Sequence, residues 1–300
     1  MDISRVNMDD LFRGFKASFQ KGLGMAPSKF LQFSMIEQSN SASDVYPMSA
    51  ILGAMRKWEG DRKATNLVSI KMIVANEPYE QLVSVSKWDV ADDVIGHYAG
   101  AFADLGQKAG KLWNDLAITA LKTPPVWADG GAFFGTTRKY GKTSVISNKS
   151  TAALSETTYA TARQAMLEYN GYDGKPLGVM PNLLIVGPKN EKNAFTILKD
   201  RLMVTGVATI AGATDNPWSG SADYVVLPEL QGDYDDYWFL CDTSSYYKPV
   251  LVQQRLQPQV IRKDGPTDDN MFYGATVEYG VEARGAAILT FPHLIYGGIL

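Results

Sequence analysis

Phosphate binding is the chemistry that this chain comes nearest to, in the segment GTTRKYGKT at residues 135–143. A P-loop places four residues between its first glycine and the Gly-Lys-Ser/Thr triplet, so that successive backbone N–H groups surround the phosphate oxygens. Here five residues separate Gly135 from Gly141, and the residues before them are not typical of a buried strand. The segment GPKN at residues 187–190 lacks the glycines of a dinucleotide-binding turn. The sequence therefore favours neither kind of nucleotide site.

Nucleophilic catalysis would have to use a histidine or the single cysteine. The candidates are His97, His293 and Cys241. His97 falls in the first turn of a predicted helix, and His293 follows a proline in an apolar tail, so neither lies in a context that activates a nucleophile. We expect both to be packing or surface histidines and Cys241 to be a small buried hydrophobic residue. One cysteine and two histidines are too few for a disulfide framework or a zinc cluster, and no metal or cofactor is expected.

Paired carboxylates are the remaining catalytic signal. Asp235 and Asp236, and likewise Asp268 and Asp269, lie beside Gly, Tyr and Pro in turn-like segments, where solvated charge is the usual role. A two-carboxylate hydrolase can take its acids from distant parts of a chain, so a cytoplasmic α+β hydrolase stays an alternative. Because no motif points to one, we predict that the protein is not an enzyme.

Composition places the chain among ordinary folded proteins. It has 300 residues, of which 45% are hydrophobic and 20% charged, with a formal net charge of −3. The acidic balance lacks the basic surplus of a protein that grips duplex DNA. The longest nearly uncharged apolar stretch, residues 286–300, is interrupted by Pro292 and is shorter than the roughly 20 residues of a membrane helix. Neither a membrane span nor a secretory signal is predicted, so we expect folding in a cytoplasm.

The N-terminal third predicts a helix and a hairpin. Apolar residues at helical spacing indicate a helix over residues 9–23, followed by an extended arm to about residue 50. Alternating residues predict strands at 67–75 and 79–88, joined by a turn at Asn76, Glu77 and Pro78. An isolated two-stranded hairpin is marginally stable in water. It must lie either on the rest of its own chain or on a neighbouring copy, where it would be an assembly arm.

A long helix is predicted from Asp92–Asp93 to Lys122, before two prolines. At 1.5 Å per residue it would span roughly 45 Å. Its interior contains four glycines that weaken a helix by about 1 kcal/mol each relative to alanine: Gly96, Gly100, Gly106 and Gly110. We therefore expect something else to come close to the helix backbone there, and favour this over coiled-coil dimerisation.

The remaining residues predict a mixed α+β architecture. Residues 123–150 indicate loops with short strands, Ser155 is a good cap for a helix, and a buried strand at 182–186 leads to a helix that begins at Asn190 and carries Ala194, Leu198 and Leu202. Shorter strands are predicted at 224–227 and 238–241. Two long ribbons follow, at 250–261 and 271–283, and the second has apolar or small residues at every odd position. The regular β-α-β alternation of a doubly wound fold is missing.

Residues spread along the chain resemble those of the major head subunit (T subunit) family of Mu-like tailed phages. The matching residues are Leu11, Phe15, Phe19, Leu23, Trp58, Gly60, Arg62, Asp92, Asp93, Gly96, Tyr98, Asp129, Gly130, Phe133, Phe134, Gly174, Pro176, Leu177, Gly178, Pro181 and Leu183. Their order and spacing cover nearly the whole length. The resemblance implies the Hong Kong 97-type capsid fold and a subunit that forms hexamers and pentamers in an icosahedral shell.

The resemblance also implies parts and partners. The expected parts are an N-terminal arm at 1–50, an E-loop hairpin region at 51–92, the spine helix and first part of the P-domain at 93–150, an A-domain at 151–244, and returning P-domain strands at 245–300. Expected contacts with other subunits are made by Trp58, Arg62, Ile70, Met72, Tyr79, Val83 and Val85. Scaffold, portal and decoration proteins are the implied partners, and the shell would enclose double-stranded DNA without sequence-specific binding. An encapsulin-like compartment with an enzyme cargo is the alternative within the same fold.

Overall fold

The computed structural model of the chain describes residues 5–27, 29–49, 69–92, 97–140, 144–171, 174–205, 212–265 and 267–300. The α-helices within these ranges are α1 Arg5–Leu23, α2 Lys87–Asp92, α3 His97–Lys122, α4 Glu156–Leu167, α5 Glu191–Leu198 and α6 Asp269–Gly274. The strands are β1 Ser34–Gln38, β2 Ser43–Ser49, β3 Ser69–Ala75, β4 Glu77–Ser86, β5 Arg138–Tyr140, β6 Ser144–Ile146, β7 Lys149–Ser150, β8 Leu183–Val186, β9 Leu202–Thr205, β10 Gly212–Asp215, β11 Asp223–Val226, β12 Trp238–Cys241, β13 Val250–Lys263, β14 Thr276–Leu289 and β15 Ile295–Gly298. No described helix is long and apolar enough to cross a membrane.

The helix α1 packs closely against the long helix α3, and glycines make the close approach possible. A Cβ added at Gly106 would overlap the carbonyl oxygen of Phe19, and one at Gly110 would overlap the side chain of Ala26. The expected close approach to the helix backbone is therefore confirmed at these two positions. It is wrong at Gly100, where a Cβ would meet open space, and Gly96 lies outside the described residues.

The largest sheet has the strand order β1-β13-β14-β4. β13 and β14 are antiparallel ribbons of 14 residues each, and β1 is added parallel to β13. One face of β14 is buried through its odd positions, including Val277, Tyr279 and Val281, as the alternation predicts. These side chains pack with Phe15 and Phe102 of α1 and α3. The two helices thus cover one face of this sheet.

The predicted ribbon at residues 271–283 begins later than expected. Met271 and Tyr273 belong to the short helix α6, and the strand starts at Thr276. Met271 points into the core, as its place in the alternation suggested, but Tyr273 is exposed. Consecutive side chains of a helix are rotated by about 100° about its axis. The buried Met271 fits both a single helical turn and the start of a strand, so alternation alone could not distinguish the two conformations here.

The predicted hairpin of residues 67–75 and 79–88 is wrong in its pairing, although both strands exist. β3 pairs antiparallel with β2, and β4 pairs antiparallel with β14. Only Asn76 separates β3 from β4, and the common tight hairpin loops need at least two residues. The chain therefore leaves one two-stranded ribbon and enters the large sheet without reversing direction.

A second sheet has the order β11-β8-β12-β15-β7. Its central strands β8 and β12 are fully buried, with α4 and α5 packed alongside in one apolar cluster. Ser155 caps α4 in a capping box with Thr158, as the sequence predicts. The next helix, α5, ends at Leu198, and Leu202 lies in β9 rather than in that helix. The short strands predicted within residues 123–150 are confirmed as β5, β6 and β7.

Candidate assembly surface

The two-stranded ribbon β2–β3 has one face in the subunit core and one face in solvent. Met48, Met72 and Val74 are buried in the apolar cluster shared with Trp113 and Leu121 of α3. Successive side chains of a strand point to opposite faces. The neighbouring residues along the ribbon consequently point outward.

Val45 and Ile73 form the apolar centre of the outward face. They are opposite one another in the antiparallel register, and they are 53% and 70% exposed. A directly opposed pair of β-branched residues packs side by side on a sheet. A scattered exposed apolar residue needs no explanation, but a cross-strand pair presents a continuous apolar surface that a partner can cover.

A groove continues this surface beside Ile73. It has a volume of about 500 Å³ and lies between β3, the C-terminal half of α3 and the end of β14. Leu116, Pro125 and Val126 line it together with Ala286 and Ala287. The exposed pair and the groove together make the ribbon's outward side an apolar surface that extends from β2 to the end of β14.

A buried polar network fixes the point where the ribbon leaves the large sheet. Asn76, which is buried, accepts a 2.7 Å hydrogen bond from Nε2 of Gln253 at its Oδ1 and donates one of 2.7 Å to Oγ of Ser39. Its backbone N–H donates to the carbonyl of Ala42, and Arg284 donates to its carbonyl. Three other segments, the loop between β1 and β2 and the strands β13 and β14, therefore converge on one side chain and its backbone.

Tyr46 of β2 joins the same network. Its hydroxyl donates a 2.9 Å hydrogen bond to Oε1 of Gln253. Burial, reinforced by the nearby carboxylates of Asp44 and Glu37, raises the pKa of Tyr46 to about 12. The phenol therefore stays protonated and remains a donor at all ordinary pH values, so this hydrogen bond at the root of the ribbon does not titrate.

The structure places the residues predicted to contact other subunits in three environments. Trp58 and Arg62 lie outside the described residues, as does the side chain of Ile70, although its backbone is part of β3. Met72 and Val85 are buried within their own subunit. Tyr79 and Val83 are half-buried, Val83 against the cluster beneath the large sheet.

The alternation along β3 was thus predicted correctly, but the exposed face is the opposite one. A shift of one residue exchanges the two faces of a strand. Ile73 was not among the predicted contact residues for this reason, and Val45 was not because residues up to about 50 were predicted as an extended arm rather than as the strand β2. The sequence assigned three residues, Asn76, Glu77 and Pro78, to a turn, and only the structure shows that a single residue separates β3 from β4. No sequence signal therefore identified β2 as the partner of β3.

The candidate catalytic residues occupy structural positions. Cys241 is fully buried in β12, and burial raises the pKa of its thiol well above the usual value. His293 is buried, with its ring 5.4 Å from the ring of Phe291, and burial lowers its pKa to about 4. Both predictions of packing roles are confirmed, while the side chain of His97 lies outside the described residues.

The other chemical candidates are also accounted for by local contacts. Arg138, from the segment with P-loop-like residues, is buried and forms an ion pair with Asp129. Asp236 forms a surface ion pair of 2.8 Å with Lys189, as expected for a solvated turn. Among the described residues no group of three or more His, Cys, Asp or Glu side chains could hold a metal ion.

Comparison with known proteins gives consistent matches over the whole chain. A family model described as the Mu-like prophage major head subunit gpT matches residues 8–152, 143–230 and 213–298. The Mu-like prophage FluMu major head subunit of Haemophilus influenzae is 24% identical over 292 residues, covering 96% of this chain and 72% of that protein. The major capsid protein of Escherichia phage Mu is 28% identical over 290 residues, with the same coverage.

The fold is also similar to solved capsid structures. The bacteriophage JBD30 capsid protein superposes with a TM-score of 0.57 at 15% identity, covering 100% of this chain and 74% of that one. The predicted fold class, α+β of the Hong Kong 97 type, is confirmed.

Proposed function

The chain belongs to the family of Mu-like prophage major head subunits, and from that premise we propose that it is the major capsid protein of a Mu-like tailed phage or prophage. The observation that carries this proposal is the family match, which runs from residue 8 to residue 298. The likeness in fold to the JBD30 capsid supports it. An encapsulin-like compartment and a cytoplasmic hydrolase are not favoured by these matches. The proposed role is structural, and the protein is located in the virion capsid.

We propose that copies of the subunit form hexamers and pentamers that close into an icosahedral shell. A two-stranded ribbon is marginal on its own, and β2–β3 is covered by its own subunit on one face only. A neighbouring copy that covers the outward face would bury Val45 and Ile73. The ribbon is therefore proposed as the arm that lies across a neighbouring subunit.

The parts of the capsid fold are assigned accordingly. We assign the paired strands of the hairpin arm, the E-loop, to β2 at residues 43–49 and β3 at residues 69–75. Residues 77–86, which the sequence suggested for the same arm, form an edge strand of the large sheet, and this sheet with α3 corresponds to the P-domain and spine helix. The second sheet takes β8, β11 and β12 from residues 151–244 and adds β7 and β15 from outside that range, and we assign it mostly to the A-domain.

The contents and partners of the shell follow from the same role. With a net charge of −3, the chain would enclose double-stranded DNA without gripping particular sequences. Portal and scaffold proteins, and possible decoration proteins, are the expected partners. Assembly in the host bacterial cytoplasm is proposed as well.

Electron microscopy of the full chain, expressed alone and with its neighbouring phage genes, tests the proposal. Closed shells, or rings of six and five subunits, are expected in at least one of the two preparations, with light scattering giving the particle mass. A monomer or dimer in both preparations would contradict the capsid role. Shells loaded with a folded enzyme instead of DNA would favour the compartment alternative.

A further inference from the structure

Three buried oxygen atoms that accept and donate no hydrogen bond lie where β13 passes into α6. They are Oδ2 of Asp264, Oδ1 of Asn270 and the hydroxyl of Tyr279. In all other parts of the described ranges, only three further buried side-chain atoms share this property. A buried polar atom that forms no hydrogen bond keeps its full desolvation penalty. Each of the three oxygens therefore needs a ligand that satisfies it.

The contacts of these side chains bring them to one corner of the subunit. Tyr279 is directly opposite Arg262 in the register of β13 and β14, and Nε of Arg262 lies 3.5 Å from Oδ1 of Asp264. Nδ2 of Asn270 donates a 2.9 Å hydrogen bond to the carbonyl of Lys263, the residue before Asp264. We call this region the Asp264 corner.

The orientation of the Asn270 amide is fixed by its two donor bonds. The second one, also 2.9 Å long, goes to the carbonyl of Thr276. A carbonyl oxygen accepts and cannot donate, so the nitrogen of the amide must face both carbonyls. The amide oxygen of Asn270 is consequently the atom that remains for a ligand.

Asp268 brings a second carboxylate to the Asp264 corner. Its Oδ2 accepts a 2.8 Å hydrogen bond from the backbone N–H of Gly265, the residue after Asp264. A Cβ at Gly265 would lie 3.0 Å from both carboxylate oxygens of Asp268, so the glycine lets this carboxylate approach the chain closely. Two carboxylates and one amide oxygen therefore come from the short segment that leads into α6, the helix that also carries the exposed side chain of Phe272.

Negative charge is in excess at this corner. Arg262 forms ion pairs with both Asp9 of α1 and Asp264, and Asp268 adds a third carboxylate beside them. Asp264 itself is only 8% exposed. Burial raises the pKa of Asp264, and the carboxylates of Asp9 and Asp268 raise it further against the opposing effect of Arg262. Lys263 is exposed and points to the opposite face of the strand from its two neighbours, so it does not balance this charge.

We propose that the Asp264 corner binds a divalent cation of the calcium type, with Oδ2 of Asp264, Oδ1 of Asn270 and the carboxylate of Asp268 as ligands. Ligands that are all oxygen atoms suit a hard cation. Calcium accepts carboxylate, amide and water oxygens in variable geometry, whereas magnesium requires a near-ideal octahedron. The site has fewer carboxylates than the clusters of three that the described residues lack, because the amide oxygen takes the place of the third. It lies within one subunit, so this proposal and the capsid role can fail separately.

Terbium luminescence detects binding at this corner. Terbium occupies calcium sites and emits when a nearby phenol, here that of Tyr279, absorbs light. Titration of the full chain with terbium chloride in calcium-free buffer is expected to give a saturable emission that calcium chloride displaces. Asp264→Asn should remove this emission, and Asp269→Asn, at an exposed neighbouring position, should keep it. No saturable emission from the wild type, or equal emission from both variants, would overturn the proposal.

Thermal unfolding with and without calcium separates a cation ligand from a residue that only pairs with Arg262. Calcium at about ten times its dissociation constant is expected to raise the melting temperature of the wild type by roughly 2–4 °C. Asp264→Asn should be at least as stable as the wild type without calcium, because it removes a buried charge, and should gain nothing when calcium is added. A variant that is less stable in both buffers and responds to calcium as the wild type does would contradict the proposal.

Asp268→Asn provides a second variant that does not alter the buried position. Its side-chain oxygen can still accept the hydrogen bond from Gly265, but one ligand charge is lost. The affinity of the chain for calcium, measured by competition with terbium, is expected to fall by roughly tenfold. An unchanged affinity would mean that Asp268 is not a ligand and that the site as proposed is wrong.

Discussion

Nε2 of Gln253 donates a 2.7 Å hydrogen bond to Oδ1 of Asn76, and this bond ties the root of the β2–β3 ribbon to the long strand β13. The two residues are 177 positions apart in the chain. Both side chains are buried. Since a buried amide that loses its partner keeps its desolvation penalty, the position of the arm relative to the large sheet depends on this pair.

Replacement of Asn76 is therefore expected to loosen the arm and destabilise the subunit. Asn76→Ala leaves the amide of Gln253 and the hydroxyl of Ser39 without their partner, and the expected cost is about 1–3 kcal/mol. Urea unfolding of the variant measures it. Gln107→Ala, at an exposed position on α3, serves as the control and is expected to change stability by less than about 0.5 kcal/mol. Equal free energies of unfolding for the two variants would show that the hydrogen bonds of Asn76 do not stabilise the junction between the β2–β3 ribbon and the large sheet.

Replacing two glycines of α3 by alanine is expected to change the stability of the subunit in opposite directions. In Gly106→Ala the new methyl group would overlap the carbonyl oxygen of Phe19, so α1 must move away, and a loss of about 1–3 kcal/mol is expected. In Gly100→Ala the methyl group meets no atom within 4 Å. Alanine is the better helix former, and a gain of up to about 1 kcal/mol is expected.

Thermal unfolding of the two glycine variants checks this prediction. A lower melting temperature for Gly106→Ala and an equal or higher one for Gly100→Ala are the expected results. If both substitutions lowered stability by the same amount, the close crossing of α1 and α3 would not explain why residue 106 is a glycine.

The sequence predicted the elements better than their partners. The alternation of β14 identified its buried face, and the glycines of α3 indicated that something comes close to the helix backbone, without indicating that it is α1. The pairing of β3 and β4 was not predictable from periodicity, since β4 pairs with β14, whose residues lie about 200 positions later. The contact face was assigned to Ile70 and Met72 because periodicity separates two faces of a strand without indicating which one meets the core. The exposed aromatic turn at Phe272 was hidden inside a run that also fits a strand.

Acid is expected to destabilise the subunit through His293. Burial lowers the pKa of His293 from 6.5 to about 4, so the unfolded chain binds this proton first as the pH falls. The contribution to stability is complete above pH 6.5 and is lost as the pH falls from there to about 4, by about 3 kcal/mol in all. Urea unfolding at a series of pH values measures this loss.

Two variants isolate the contribution of the imidazole. His293→Gln cannot titrate and is expected to show a flatter dependence of stability on pH over that range than the wild type. Leu294→Ala, at the neighbouring buried position, lowers stability without removing a proton site, so its pH dependence should stay parallel to that of the wild type. An unchanged slope for His293→Gln would contradict the assignment.

The outward face of the arm gives the most direct test of assembly. Val45→Glu together with Ile73→Glu places two carboxylates at exposed positions of the free subunit. They are hydrated there, but they lie directly opposite one another, so a loss of up to about 1 kcal/mol is expected and the subunit stays folded. In a shell the same positions would be covered by a neighbouring copy, and burial of an unpaired charge costs several kcal/mol for each ion. Because this cost recurs in every subunit, electron microscopy should show folded subunits and no shells. Val145→Glu, at an exposed position of β6 away from the arm, should assemble as the wild type does, and normal shells from the double variant would mean that the outward face of β2–β3 is not covered in the capsid.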